Sequence, residues 1–308
     1  MKTAILFSGQ GAQYPGMMKD LYDAEPAARQ LFDLADSVLG RSISGVCFEG
    51  TQEDLNLTHN TQPCMLAGDL AAAMILKAHG IQADAAAGFS LGEYAALAYA
   101  GVISMEDVFR VIQIRADAMQ EAVPPGEGAM AAFVGATAEQ VEEICAGVTR
   151  GYVVAANYNS PVQTVVSGSA AGVDEACELA DAAGLRCMKL AVSAPFHCAL
   201  MEPAARRLEG EFKNLDFHDP SIPIYMNVDG KPVKNGSAIA ELLVKQAMSP
   251  VRWVQTLENM QADGIDTFIE CGAGKTLSGL VKKTLKGVKV LRVENLKTLQ
   301  STLEDLRS

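Results

Sequence analysis

The residues Gly88-Phe89-Ser90-Leu91-Gly92 form the clearest chemical signal in the sequence, a Gly-x-Ser-x-Gly pattern. The segment before it, Asp84 to Gly88, predicts a short strand, and the segment after it, Glu93 to Tyr99, predicts a helix. A sharp turn between a strand and a helix holds a serine hydroxyl out at the end of a sheet, and flanking glycines permit the tight backbone of that turn. Nearby backbone N–H groups can then stabilise an oxyanion. This context favours Ser90 as a nucleophile over a Gly-rich loop with an N-capping serine.

A serine hydroxyl needs a base to take its proton, and four histidines are available. His59 lies in a polar loop, and His79 ends a predicted helix, where an imidazolium interacts favourably with the helix dipole. His218 stands beside Asp219, but a base and its orienting group are seldom neighbours in sequence. His197 follows the last strand of a predicted small subdomain, where the chain returns to the main domain and borders a cleft. The residues alone leave both a catalytic and a structural role open for His197.

The elements that must position these residues alternate between strands and helices. Thr3 to Phe7 predicts a buried strand, Gln62 to His79 a helix, and Ser104 caps a helix that is stopped by Pro124-Pro125-Gly126. Alternating segments also follow residue 195. The pattern predicts an α/β fold with a mainly parallel sheet that is covered on both faces.

Between Gly126 and residue 195 the predicted elements follow a different order, β-α-β-β-α-β. Its predicted segments are Ala129 to Val134, Thr137 to Gly147, Tyr152 to Tyr158, Gln163 to Ser167, Ala171 to Ala183 and Arg186 to Val192, with a turn at Asn159-Ser160-Pro161. This order is that of the ferredoxin-like split unit. We therefore predict a small subdomain over residues 126–194, inserted into a large catalytic subdomain formed by residues 1–125 and 195–308.

Composition excludes several classes of protein. The 308 residues are 49% hydrophobic and 20% charged, which is typical of a folded domain, and the net charge of −12 argues against nucleic-acid binding. No stretch approaches the roughly 20 apolar residues of a membrane span, so we expect a cytoplasmic protein. The seven cysteines are an odd number, widely spaced and without a Cys-x-x-Cys pair, so they suggest neither a disulfide framework nor a zinc site.

Seven motifs in order along the chain resemble the malonyl-CoA:acyl carrier protein transacylases. They are Ser8-Gly9-Gln10-Gly11-Ala12-Gln13, Gly88-Phe89-Ser90-Leu91-Gly92-Glu93-Tyr94, Arg115 with Met119-Gln120-Glu121-Ala122, Asn157-Tyr158-Asn159-Ser160-Pro161, Ala194-Pro195-Phe196-His197, Gln246 with Ser249-Pro250-Val251, and Glu270-Cys271-Gly272. The resemblance covers essentially the whole chain. It implies an α/β-hydrolase-like core with an inserted ferredoxin-like subdomain.

The resemblance also implies a role for each site residue. Ser90 would attack the thioester and His197 would be its base, while the backbone N–H groups of Gln10 and Leu91 would form the oxyanion hole. A backbone carbonyl of Gln246 would orient His197, because a carbonyl can fix the imidazole tautomer as a carboxylate would.

Arg115 would bind the free carboxylate of malonate as a bidentate pair, which a lysine cannot form. Without the resemblance, a solvated helix residue is the simpler interpretation of Arg115. Phe196 also resembles the members that select malonyl over methyl-branched units. Many relatives have histidine at the position of Phe89 and proline at that of Ser8, so we expect an altered rate or some hydrolytic leakage here.

The implied activity is transfer of a malonyl group from malonyl-CoA to the phosphopantetheine thiol of holo acyl carrier protein, through a malonyl-serine intermediate. It would supply the extender unit of fatty-acid synthesis with no metal or bound cofactor, and we expect a monomer. The basic stretch from Lys275 to Lys297 could dock the acidic carrier protein or the coenzyme A phosphates, or be a solvated helix face. Two other functions stay open, an esterase or thioesterase and a non-catalytic carrier-binding module.

Overall fold

The larger sheet has six strands, and residue numbers 2–192 and 194–307 are described by this computed structural model. The strand order is β10-β9-β1-β2-β7-β8. All neighbours are parallel except β7 and β8, which are antiparallel. The strands are β1 (Thr3–Phe7), β2 (Ala85–Gly88), β7 (Ile224–Tyr225), β8 (Pro232–Val233), β9 (Thr267–Cys271) and β10 (Lys289–Val293).

The central strands are mostly apolar because both faces of a parallel sheet are covered by helices. Every residue of β1, β2 and β9 is buried. Phe7, at the end of β1, pairs with Gly88 on one side and with Cys271 on the other. The carboxyl ends of three neighbouring strands therefore lie side by side, and the loops that leave them meet at one edge of the sheet.

A second sheet has four antiparallel strands in the order β4-β5-β3-β6. They are β3 (Gly128–Val134), β4 (Val153–Ser160), β5 (Gln163–Ser169) and β6 (Arg186–Lys189). Two helices pack on one face of this sheet, α8 (Ala138–Gly147) and α9 (Ala170–Ala182). The element order and the strand order are those of a ferredoxin-like unit. The predicted fold class is confirmed.

The part of the chain that the structure describes has twelve further α-helices around the larger sheet. They are α1 (Lys19–Ala24), α2 (Pro26–Leu39), α3 (Ile43–Glu49), α4 (Gln52–Asn56), α5 (Thr58–Ala78), α6 (Gly92–Tyr99), α7 (Met105–Glu121), α10 (Glu202–Phe212), α11 (Ile239–Ala247), α12 (Trp253–Ala262), α13 (Thr276–Thr284) and α14 (Leu296–Arg307). Helix α5 is buried along most of its length. In the described residues, no helix has both the length and the apolar character that a membrane span requires.

Two predicted boundaries are wrong. Asn159 and Ser160 are the last residues of β4 and not part of a turn, because the strand continues through two register shifts and stays buried until Pro161, which cannot donate a ladder hydrogen bond. The strand predicted to reach Val192 ends at Lys189, and its side chains are mostly exposed at the edge of the sheet.

The cysteines also differ from expectation at one place. Cys177 of α9 and Cys187 of β6 form a disulfide, with their Cα atoms 5.4 Å apart. They are only ten residues apart in sequence, and the turn between helix and strand brings them face to face. The spacing of the cysteines alone did not reveal this pair. Cys47, Cys64 and Cys271 are buried free thiols.

Candidate active site

The turn that carries Ser90 is strained and tightly packed. Ser90 has φ +54°, a left-handed conformation that costs a non-glycine residue roughly 1–3 kcal/mol. A Cβ atom added to Gly88 would lie 1.9 Å from the carbonyl carbon of Gly92, and one added to Gly92 would lie 2.3 Å from the carbonyl oxygen of Phe7. Both glycines are therefore required by close backbone approach, and the turn connects β2 directly to α6.

Ser90, His197 and Gln246 form a continuous hydrogen-bonded line. Ser90 Oγ lies 2.7 Å from Nε2 of His197, and Nδ1 of His197 lies 2.9 Å from the backbone oxygen of Gln246. Since a carbonyl oxygen only accepts, Nδ1 carries the proton and the lone pair of Nε2 faces the serine hydroxyl. The predicted serine, base and orienting carbonyl are thus brought together.

The surroundings of His197 keep its ring neutral. The side chain is buried, and burial together with the positive charge of Arg115 lowers the pKa of His197 to about 4. A neutral imidazole is the form that accepts a proton, so this ring is ready to act as a base at neutral pH.

Arg115 reaches the serine from α7 and is fully buried. One terminal nitrogen donates to Gln62 Oε1 at 2.7 Å, and the other donates to Ser90 Oγ at 3.2 Å and to Gln246 Oε1 at 3.1 Å. The guanidinium also lies over the ring of Tyr94, 5.3 Å from its centroid. The interpretation of Arg115 as a solvated helix residue is wrong, since it is 1% exposed.

A cavity of about 580 Å³ opens beside Ser90 and is bordered by both sheets. Gln10 lines it from the loop after β1, and Asn159 lines it from β4. A Cβ on Gly9 would lie 2.9 Å from Phe89, so the loop of Gln10 packs directly on the serine turn. Leu91 follows the serine at the start of α6 and is buried. Lys275 and Lys283 line the cavity from the basic stretch.

Three buried polar residues of the site, Gln62, Glu93 and Asn227, had no role assigned to them from the sequence. Asn227 accepts a hydrogen bond from the backbone N–H of Ser90 at 2.7 Å, and its backbone N–H donates to Glu93 Oε2 at 2.7 Å. Burial raises the pKa of Glu93 to about 8, although the positive charge of Arg115 opposes that shift. The sequence offers one signal, since Asn227 is the last residue of a segment, Ile222 to Asn227, that predicts a strand.

The other histidines have partners elsewhere. His59 Nδ1 contacts Asp117 at 2.5 Å on the surface, and His79 Nε2 lies 3.5 Å from Glu25. The backbone N–H of His218 donates to the carbonyl of Val102. His59 lies in the first turn of α5, which begins at Thr58, so its predicted position in a polar loop is wrong. His79 directly follows the last residue of that helix, as predicted.

The two positions that depart from the resembling family are well packed here. Ser8 Oγ donates to the carbonyl oxygens of Cys271 at 3.3 Å and Ala273 at 3.4 Å. The ring of Phe89 packs edge-on against Trp253, with centroids 5.3 Å apart. Both residues thus hold the loops that border the cavity.

Known proteins resemble this chain along its whole length. The acyl transferase domain family matches residues 5–305. A malonyl CoA-acyl carrier protein transacylase of Bacillus subtilis is 43% identical, over 99% of this chain and 98% of its own length. The crystal structure of an acyl-carrier-protein S-malonyltransferase from Burkholderia pseudomallei is 39% identical, with a TM-score of 0.96 over 99% of this chain and 100% of that one. A malonyl-transacylase in complex with a type II PKS acyl-carrier protein is 38% identical, with a TM-score of 0.96 over 99% and 100% of the two chains.

Proposed function

Because this chain belongs to the acyl transferase domain family, with the malonyl-CoA:acyl carrier protein transacylases as its relatives, we propose that it transfers a malonyl group from malonyl-CoA to holo acyl carrier protein. The observation that carries the proposal is the buried guanidinium of Arg115, 3.2 Å from the hydroxyl oxygen of Ser90. A hydrolase of neutral esters has no use for a cation at this place, whereas an acyl group that ends in a carboxylate does.

The first half of the reaction makes a malonyl-serine ester. Ser90 Oγ attacks the thioester carbonyl while His197 Nε2 takes its proton, and the coenzyme A thiolate leaves with that proton. In the second half, the phosphopantetheine thiol of the carrier protein gives its proton to His197 and attacks the ester. Ser90 then leaves and recovers the proton.

The developing negative charge needs backbone donors at the serine turn. We assign this role to the N–H groups of Gln10 and Leu91, since Gln10 lines the cavity beside Ser90 and Leu91 begins the helix that follows it. Donors fixed in place before the reaction stabilise the transition state without having to reorganise.

Arg115 is proposed to bind the malonyl carboxylate as a bidentate pair. The neutral oxygens of Gln62 and Gln246 now occupy its terminal nitrogens and hold the guanidinium plane in position. A carboxylate that replaced weaker partners would gain two charge-assisted bonds in a dry environment. This arrangement selects malonyl-CoA over acetyl-CoA.

The carrier protein is the expected second substrate, since one similar malonyl-transacylase was solved with a type II PKS acyl-carrier protein. We propose fatty-acid synthesis as the pathway, with malonyl-CoA and holo acyl carrier protein as the two substrates and no bound cofactor. The cytoplasmic location and the monomeric state stay predictions from the sequence.

Intact-mass analysis after brief mixing with malonyl-CoA or acetyl-CoA tests this function. We expect a malonyl adduct on the parent and on Arg110→Ala, an exposed arginine of the same helix, but none on Ser90→Ala. Arg115→Ala should lose the preference for malonyl over acetyl.

The fate of the adduct separates the alternatives. Discharge to holo acyl carrier protein supports the transferase. Faster discharge to water would indicate a thioesterase, and the absence of any adduct would indicate a carrier-binding module.

A further inference from the structure

We propose that Asn227 is a positioning residue that holds the strained backbone of Ser90 in its reactive conformation. This inference rests on the proposed role of Ser90 as the nucleophile and adds a residue to which no function has been given. The carboxamide of Asn227 bridges the two ends of the turn, from the N–H of Ser90 to the carbonyl of Gly88.

The sheet places Asn227 beside the turn. Strand β7 pairs in parallel with β2, with Ala87 opposite Tyr225, so the residues that follow the two strands lie next to each other. Asn227 is two residues beyond β7, and Ser90 is two residues beyond β2. Register in the sheet therefore brings the two residues together from a separation of 137 in sequence.

The side chain of Asn227 has one possible orientation. Its Oδ1 accepts from Ser90 N–H and its Nδ2 donates to the carbonyl of Gly88, both at 2.7 Å. An N–H requires an acceptor and a carbonyl requires a donor, so a flipped amide would lose both bonds. The backbone of Asn227 is fixed too, because its N–H donates to Glu93 and its carbonyl accepts from the N–H of Arg252 at 2.9 Å.

The other side of Ser90 is held as well. The carbonyl oxygen of Ser90 accepts from Nε2 of Gln246 at 2.7 Å. The peptide groups before and after Ser90 are thus each bound by a buried amide side chain, which keeps φ at +54°. Relaxation to the ordinary negative φ would move Ser90 Oγ away from His197.

The bridge also decides which N–H groups face the cavity. Because Asn227 occupies the N–H of Ser90, that donor is not directed at the substrate. The next N–H along the chain, that of Leu91, remains available with that of Gln10 for the oxyanion. Asn227 thereby supports both the nucleophile and the proposed oxyanion hole without touching the substrate.

Asn227→Ala tests this inference, with Asn259→Ala as the matched control. Asn259 is also an asparagine whose side chain binds a backbone carbonyl, that of Gly230. The readouts are the rate constant of labelling by a fluorophosphonate, which reacts with any activated serine, and the rate and half-saturating concentration of malonyl-enzyme formation. We expect Asn227→Ala to lower both rates by about 10- to 100-fold, because misplacing a reacting group by about 1 Å has that effect. In Asn227→Ala the half-saturating concentration of malonyl-CoA should change by less than about 2-fold. In Asn259→Ala both rates should also change by less than about 2-fold.

Asn227→Asp keeps the test decisive where Asn227→Ala fails to fold. The protonated carboxyl has one acceptor and one donor in the same shape, so it can make both bonds. Asp229 of the same loop favours that form by its negative charge, and Glu93 of α6 does so once it ionises near pH 8. Arg115 of α7 and Arg252 oppose it by their positive charge, while His197 is neutral throughout the tested range. We expect labelling of Asn227→Asp near the parent rate at pH 5.5 and a falling ratio to the parent as pH rises to 9.

Three results overturn the inference. They are an unchanged labelling rate in Asn227→Ala, a loss that lies entirely in the half-saturating concentration, and a ratio for Asn227→Asp that does not change with pH. The fluorophosphonate separates this inference from the proposed function. If the parent is labelled at Ser90 but forms no malonyl adduct, the proposed function fails while the role of Asn227 is still tested.

Discussion

Gln246 is the residue that joins most parts of the site. Its backbone oxygen orients His197, its side-chain oxygen accepts from Arg115, and its side-chain nitrogen binds the carbonyl of Ser90. One residue at the end of α11 therefore holds His197, Arg115 and Ser90 in fixed positions relative to each other. Its side chain matters as much as the backbone carbonyl that the resemblance implied.

The low pKa of His197 leads to a pH prediction. Because its pKa is lowered to about 4 by burial and by Arg115, the ring stays neutral well below its ordinary value. We expect the fluorophosphonate labelling rate of Ser90 to remain constant from pH 8 to 5 and to decline only near pH 4. In Arg115→Ala the decline should begin at a higher pH, because a positive charge has been removed. A parent profile centred near 6.5 would contradict this account.

Glu93 leads to a prediction for stability. Burial raises its pKa from 4.5 to about 8, so between these values the folded protein holds a proton that the unfolded chain has released. The free energy of unfolding should then fall as pH rises from 5 to 8, by up to about 1.4 kcal/mol per pH unit from this group. Glu93→Gln removes the effect, so its stability relative to the parent should increase over that range.

Urea unfolding at several pH values measures this difference. Glu53→Gln is the control, because Glu53 is exposed. A parent and a Glu93→Gln variant whose stabilities keep a constant difference from pH 5 to 8 would show that Glu93 is not protonated in the folded protein.

At the scale of elements, two long helices position the guanidinium of Arg115 and one of its hydrogen-bond acceptors. Helix α7 carries Arg115, and the neighbouring helix α5 carries Gln62, whose side chain accepts from the guanidinium. Both side chains point into the protein from buried helix faces. Both terminal nitrogens of this buried cation are occupied, one of them by Gln62 of α5, so the packing of the two helices and the orientation of Arg115 depend on each other.

The close contact between the turn and β1 predicts that adding one methyl group at Gly92 lowers the stability of the protein. A Cβ on Gly92 would lie 2.3 Å from the backbone oxygen of Phe7, and backbone cannot move aside easily. Gly92→Ala should lower the free energy of unfolding by about 3 kcal/mol. Gly210→Ala is the matched control, since Gly210 lies in α10 with nothing within 4 Å of its added Cβ, and it should raise stability by about 0.5–1 kcal/mol.

Chemical denaturation and the labelling rate of Ser90 check both glycine variants. If Gly92→Ala were as stable as the parent, the backbones of Gly92 and Phe7 could move apart without cost, and the close contact would not be required.

At the scale of the whole molecule, the cavity lies between the two sheets. Asn157 of β4 forms a bridge with Val251, and Tyr158 N–H donates to the carbonyl of Val251, in the segment that follows Gln246. We propose the division into residues 126–194 and a larger part formed by 1–125 and 195–308. It is supported by the antiparallel sheet, whose strands all lie between Gly128 and Lys189.

The basic stretch leads to a prediction about the carrier protein. Lys282, Lys283 and Lys286 are exposed, and Lys283 lines the cavity. The triple change Lys282→Glu, Lys283→Glu and Lys286→Glu should raise the KM for holo acyl carrier protein by about 10-fold at low salt, since opposite charge steers association. Added salt should narrow the difference from the parent.

Lys234→Glu is the control for this prediction, because Lys234 is exposed after β8. The thermal unfolding temperature must be measured as well, since Lys282 and Lys283 also lie in the last turn of α13 and stabilise its dipole. An unchanged KM for both carrier protein and coenzyme A would identify the stretch as a solvated helix face.

The sequence by itself predicted the alternation of elements and indicated Ser90 as the candidate nucleophile. Runs such as Thr3–Phe7 and Thr267–Cys271 are short, mostly apolar and followed by glycines, and these local features are enough to predict strands. The Gly-x-Ser-x-Gly turn is equally local, since strand, turn and helix are adjacent in the chain. His197 was proposed as the base only with the help of the family resemblance.

The tertiary structure alone decided what surrounds the serine. Asn227 and Gln62 contact Ser90 and Arg115 across separations of 137 and 53 residues, and only strand register and helix packing bring them there. The four helices between Lys19 and Asn56 and the disulfide of α9 and β6 were likewise missed. Partners that are distant in sequence leave no periodic or compositional trace in one chain, because their contact is a property of the folded backbone.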